Sequence, residues 1–139
     1  MNTRQLTSWL HAGGGLKLLN EFHAKYGLHF VPMGMTGAQM GGWYRKEIKS
    51  IDDLKGLKMR ISGIGGQVLQ RLGVVPQQLA ASDVYPALER GVLDAVEYTN
   101  PFDDEVLGLH KVAKYYYAPG WQEGGLQAGH FINKQKWDS

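Results

Sequence analysis

The chain has 139 residues, 43% of them hydrophobic and 20% charged, with a formal net charge of +2. It can therefore bury a core, and its weak charge, with no dense basic run outside residues 45–49, argues against a nucleic-acid partner. With no cysteine, zinc ribbons, iron–sulfur clusters, redox dithiols and disulfides are excluded, while the compartment stays open. No apolar run reaches the roughly 18 residues of a membrane span. The opening MNTRQLTSWLHAGGG has no apolar core of a signal peptide, so either the protein is cytosolic or its true N-terminus lies elsewhere.

Residues 6–26 have helical spacing, interrupted at Gly13–Gly15 and ended by Gly27. The three glycines mark a kink or a close backbone approach. His29–Met35 reads as a strand, and Pro32 restricts it to an edge or an irregular position. Residues 36–43 form a glycine-rich loop, Trp43–Ile48 a strand, and Ser50 caps a helical turn over 51–54.

Leu57 to Gly73, LKMRISGIGGQVLQRLG, reads as strand, glycine turn, helix and glycine stop. Val74–Leu79 is the next strand. Ser82 is the expected cap of a helix that buries Val84, Ala87 and Leu88 and stops at Gly91. Val92–Tyr98 is a strand. Asn100 and Pro101 start a helix expected to bury Phe102, Val106, Leu109 and Ala113 on one face. Tyr115–Tyr117 is apolar and aromatic, residues 119–125 turn, and Gln127–Asn133 is a strand.

From residue 57 onward strands and helices alternate over short connections, which predicts an α/β fold with parallel pairing and right-handed crossovers. Ligands of such sheets bind beyond the carboxyl ends of the strands. Arg60, Glu97 and Tyr98 fall near such ends, and Arg60 precedes a helix N-terminus with free N–H groups. A guanidinium there suits the carboxylate of a small organic acid.

Each candidate has a plainer reading. Arg60 can pair with Asp52 or Asp53. Glu97 closes an apolar strand, where an acidic residue needs an ion-pair partner or a cation. Asp103, Asp104 and Glu105 look like a metal cluster, but stabilisation by the helix dipole explains them. Trp43 and Trp121 either wall a pocket or pack in the core. The GIGG turn at 63–66 suggests a dinucleotide fingerprint with Asp83 as its acidic residue, but Val68 stands where the third glycine belongs. A nucleotide-dependent α/β enzyme is therefore the rival reading, although no nucleophile–base pair is evident. A third reading is a fragment that binds nothing.

GAQMGGWYRKEI at 37–48, the long run from Asp53 to Tyr98, and YYYAPGWQEGG at 115–125 together resemble the periplasmic solute-binding proteins of TRAP transporters. These are the DctP-like family, and the branch resembled is the one that binds 2-oxo acids and related hydroxy acids. The resemblance implies part of a two-lobed periplasmic-binding-protein fold, α/β with a mostly parallel sheet. It implies capture of a 2-oxo or 2-hydroxy monocarboxylate, delivery to a membrane permease, and no chemistry on the ligand. It also implies a periplasmic location and leaves open a homodimer of the full-length protein.

By the same resemblance, Arg60 holds the substrate carboxylate. A bridging Na⁺ or Ca²⁺ is held by the Gln39 amide oxygen, the Glu97 carboxylate and the Tyr98 carbonyl, with Trp43 beside the substrate. Such hard oxygen donors suit either ion and disfavour a soft metal. Tyr98 stands where the family usually has tryptophan, and Met35 where it has a polar residue, which reshapes the pocket. Two lobes need about twice this length, so residues 1–139 are expected to be an internal segment. Residues from about 30 to 97 would build most of one lobe, with 1–29 and 98–139 as hinge crossings and part of the other.

Overall fold

The computed structural model describes residues 1–139. In chain order the elements are α1 (Thr3–Ala12), α2 (Gly15–Ala24), β1 (Leu28–Met35), β2 (Gly42–Tyr44), a 3₁₀ turn (Ile51–Leu54), β3 (Lys58–Arg60), α3 (Gly63–Arg71), β4 (Val75–Gln77), α4 (Ala81–Glu89), β5 (Ala95–Val96), α5 (Pro101–Val106), α6 (Leu109–Val112), β6 (Tyr115–Tyr117), β7 (Gln127–Asn133) and α7 (Lys134–Trp137). No helix is long and apolar enough to cross a membrane. The chain forms two compact units, one of Met1–Ala38 with Gly124–Ser139 and the other of Gln39–Glu123. Residues 98–123 thus group with 39–97 in the second unit, where β6 hydrogen-bonds to β2.

In the first unit, Asn2 and Gln5 cap α1 reciprocally, each side chain accepting from the other's backbone N–H at 3.0 Å. The glycines after α1 are a close approach. A Cβ on Gly15 would lie 2.6 Å from the Trp9 ring, and Gly14 turns the chain at φ +80°. β1 pairs antiparallel with β7, with the irregularity between Pro32 and Gly34, as a strand proline demands. The Asn20 side chain clamps Phe30 by both its N–H and its carbonyl.

The second unit carries a five-stranded sheet in the order β4-β3-β5-β2-β6. β3 is parallel to β4 and β5, whereas β2 is antiparallel to β5 and β6. The sheet is therefore mixed, with two of its four strand pairings parallel. β3, β4, β5 and β6 do run the same way, because helices connect them. β2 precedes that alternation and inserts between β5 and β6 in the opposite sense. Ala95 packs on one face, with Tyr44, Leu57, Met59, Ile61, Leu69 and Val74. Its neighbour Val96 packs on the other, with Val84, Ala87, Leu88, Leu93 and Leu109. Burial on both faces explains the unbroken apolar run before Glu97.

Three local expectations are corrected. β2 and β5 are shorter than the apolar runs suggest, because only Trp43 and Tyr44 find partners on β5; beyond them, the Tyr117 hydroxyl ties Ile48 by its N–H and carbonyl. Ala80, not Ser82, is the N-cap of α4. Gly108, at φ +74°, breaks the helix after Asn100 into α5 and α6. Leu109 and Ala113 are buried as expected, but Phe102 and Val106 are each 73% exposed. The residue buried from α5 is Asp104, at 1% exposure.

Candidate functional site

β3 and β5 are adjacent and parallel, with Arg60 opposite Val96, so Arg60 and Glu97 leave the sheet together at its carboxyl edge. Glu97 N–H donates to the Arg60 carbonyl at 2.9 Å, and Arg60 Nη1 donates to the Glu97 carbonyl at 2.7 Å. The guanidinium also lies 5.2 Å from the centre of the Tyr98 ring, a cation–π distance. Arg60 does not pair with the acidic turn upstream. Asp52 is occupied by Lys55, and Asp53 accepts from Lys49 N–H, Ser50 N–H and the Ser50 hydroxyl.

Arg60 meets the backbone of Glu97 and forms no ion pair with its side chain. Glu97 is 7% exposed, and its Oε1 has no hydrogen-bond partner. Burial pushes its carboxyl up to about 7, against the pull of the Arg60 charge, and Glu123 and Asp104 add to the rise. A buried carboxylate oxygen with a free lone pair is suited to a cation. No group of three or more His, Cys, Asp or Glu side chains is clustered to hold a metal, so any ion here takes neutral oxygens as well.

The GAQMGG segment reaches this edge because its glycines permit it. Gly41 N–H bonds the Tyr117 carbonyl at 2.8 Å, and Gly120 N–H bonds the Gln39 carbonyl at 3.1 Å. Gly42 has φ +113°, and a Cβ there would stand 2.5 Å from the Val96 carbonyl oxygen and 3.3 Å from Glu97 Cα. Gln39 is buried. Trp43 lies opposite Val96 and stacks on Tyr116 with ring centres 4.1 Å apart. The geometry thus joins Arg60, Glu97 and Tyr98 by direct contacts and brings Trp43 beside them. Gln39 lies nearby in sequence, three residues before Gly42, but its carbonyl accepts from Gly120 and no hydrogen bond links it to the others.

Asp104 has a larger part than the helix dipole assigns it. Its carboxylate accepts from Trp43 Nε1 at 3.0 Å, from Thr99 N–H at 3.2 Å and from the Tyr116 hydroxyl at 3.4 Å. Burial nevertheless raises its pKa, outweighing those bonds. It anchors both the Trp43–Tyr116 stack and the loop after Glu97. The available signal was the pair of aromatic residues with polar tips, which seek partners when half-buried.

The nucleotide reading loses its geometry. Residues 63–66 form the first turn of α3, and Asp83 is an exposed residue in the first turn of α4. A cavity of about 410 Å³ borders that α3 turn and is lined by Ser62, Gly63, Ile64, Gly65, Trp121, Gln122 and Glu123. A second, of about 500 Å³, is walled mainly by apolar residues, including Tyr44, Ile51 and Leu54, and contains none of Gln39, Trp43, Arg60, Glu97 and Tyr98; Trp121 walls both cavities.

Residues 1–139 match the sequence profile DctP, described as bacterial extracellular solute-binding protein, family 7. A monocarboxylate 2-oxoacid-binding periplasmic protein of Nostoc is 51% identical over 99% of this chain, which spans 38% of that relative. A TRAP transporter solute-binding protein of Bordetella bronchiseptica, with copurified calcium and picolinate in its active site, is 55% identical with a TM-score of 0.92; the match covers 100% of this chain and 41% of that one. One from Pseudoalteromonas atlantica, with bound sodium and pyruvate, is 44% identical with a TM-score of 0.90, over 99% and 42% of the two chains. The chain therefore spans about two fifths of the length of the relatives it matches. With the profile matched from the first residue to the last, the chain belongs to the DctP family of bacterial extracellular solute-binding proteins.

Proposed function

We propose that this sequence is part of the extracytoplasmic solute-binding subunit of a TRAP transporter. The subunit captures a small 2-oxo or 2-hydroxy monocarboxylate in the periplasm and passes it unchanged to a membrane permease. Arg60 pairs with the acid's carboxylate. A Na⁺ or Ca²⁺ ion bridges acid and protein, held by the Gln39 amide oxygen, the Glu97 carboxylate and the Tyr98 carbonyl. Trp43 and the Tyr98 ring shape the wall around the acid.

The observation that carries this reading is the Glu97 carboxylate, buried beside Arg60 with an oxygen that nothing in the chain satisfies. An arginine and a carboxylate that share an edge without neutralising each other suit a ligand carrying both a carboxylate and a cation. The bound calcium with picolinate and sodium with pyruvate in the two relatives support the same donor chemistry.

The test is calorimetry on the full-length protein, stripped of cations and titrated with pyruvate. Binding should appear on addition of Na⁺ or Ca²⁺, and the acid should raise cation affinity by the same factor, since linkage is reciprocal. Acid affinity indifferent to both ions would refute the bridging ion, and absence of any acid binding would refute the function.

A further inference from the structure

We propose that Gln122 is a further acid-binding residue of this site, its side-chain amide donating to an oxygen of the bound acid at the edge it shares with Glu97, beside the 410 Å³ cavity that Gln122 lines. The inference rests on the function proposed above and concerns a residue to which that function assigns no role.

Gln122 belongs to the segment between β6 and the end of the second unit. Its Nε2 and Oε1 are both shielded from solvent, and neither has a hydrogen-bond partner. Two buried amide atoms left unsatisfied are costly in a chain that had many ways to satisfy or expose them. A Cβ on Gly65 would stand in ordinary van der Waals contact with Gln122 Cγ, at 3.7 Å, so the glutamine packs over the first turn of α3. On its other side is Glu97. The Gln122 amide lies close enough to the carboxyl to lower its pKa as a weak side-chain hydrogen bond does, but Glu97 Oε1 and both polar atoms of Gln122 fall outside good hydrogen-bond geometry. The two side chains thus meet at this edge without a well-formed bond between them.

The cavity beside them falls within the roughly 300–1,000 Å³ usual for small-molecule sites. Ser62 and the first residues of α3 form one wall, where the early N–H groups of a helix lack intrahelical partners. Trp121, Gln122 and Glu123 form the other. An acid oxygen placed between the Arg60 guanidinium and Gln122 would satisfy Nε2. It would also leave Gln122 Oε1 as a second neutral oxygen near the cation, alongside that of Gln39. Gln122 is thus matched to a monoanionic acid with a polar oxygen next to its carboxylate.

The experiment uses the full-length protein, with pyruvate and Na⁺ or Ca²⁺ as probes, and compares wild type with Gln122→Ala and Gln122→Glu. If wild type binds no acid under any ion condition, the proposed function fails, and this inference with it. If wild type binds, Gln122→Ala should weaken pyruvate roughly 10- to 100-fold, the range of a hydrogen bond to a charged group. Gln122→Glu should weaken it further, because it replaces the donor with a like charge. The melting temperature of the ligand-free Gln122→Ala protein should fall little, because the amide it removes makes no well-formed hydrogen bond in the folded chain. Pyruvate affinity within twofold of wild type in both variants would overturn the inference while leaving the function intact. A loss of affinity that tracks a comparable loss of ligand-free stability would also overturn it, since Gln122 would then be a structural prop.

Discussion

Replacing Glu97 with Gln should stabilise the ligand-free protein and disable the liganded one. The carboxyl rises from 4.5 to about 7 in the folded state, chiefly through burial. A raised folded pKa means that the native state holds the proton more tightly than the unfolded chain. Stability therefore falls as pH climbs from about 4.5 to about 7, and the full cost persists above that range. At 1.36 kcal/mol per pH unit, the shift sets an upper bound of about 3 kcal/mol. Glutamine has the same shape and no titration, so Glu97→Gln should gain up to that amount at pH 8 and little at pH 4. Urea unfolding of the full-length proteins across this range, in cation-free buffer, measures the difference. With pyruvate and Na⁺ or Ca²⁺ present the order should reverse, because only wild type gains the stabilisation of bound ligand. Parallel pH profiles for the two proteins, or a variant less stable than wild type at pH 8 without ligand, would refute the reasoning about Glu97.

Arg60→Lys should weaken pyruvate by at least tenfold in calorimetry, because a planar fork that also holds the Glu97 carbonyl becomes a single flexible ammonium. Asp104→Ala should cost about 2–5 kcal/mol in urea unfolding followed by tryptophan fluorescence, since it strands the Trp43 and Thr99 N–H groups. Asp104→Asn, which keeps one acceptor, should cost less. Gly120→Ala should lower the melting temperature and cation affinity together, because its Cβ would collide with the Gln39 carbonyl oxygen; unchanged values in both would mean that the Gln39 segment is free to move.

Local chemistry was legible from the residues alone. Gly27, Gly73 and Gly91 all adopt positive φ at helix ends, and Asn100 caps Phe102 and Asp103 N–H ahead of Pro101. These features depend on a few neighbouring residues and on the freedom of glycine. The direction of β3, β4, β5 and β6 was legible too, because short helical crossovers dictate it. So was the placement of Arg60 and Glu97 at one sheet edge, which follows from parallel strands ending together. Gln39 as a cation ligand, and a bound Na⁺ or Ca²⁺, were expectations drawn from the resemblance, which no spacing rule reaches.

Tertiary structure alone decided where β2 inserts, since an extended segment can pair with either partner sense and its neighbours are distant in sequence. It decided that Asp104, not Phe102, faces inward. A glycine break at 108 resets the helix face, and the Trp43 indole and Tyr116 hydroxyl offer partners from elsewhere in the chain. It also decided the state of Glu97. The sequence placed an acid after an apolar strand and left open an ion-pair partner or a cation. The fold sends the arginine to the carbonyl of Glu97 and leaves its carboxylate oxygen without a partner. Whether a buried charge is satisfied depends on ångström-scale placement of groups 37 residues apart, and only the packed chain sets that distance.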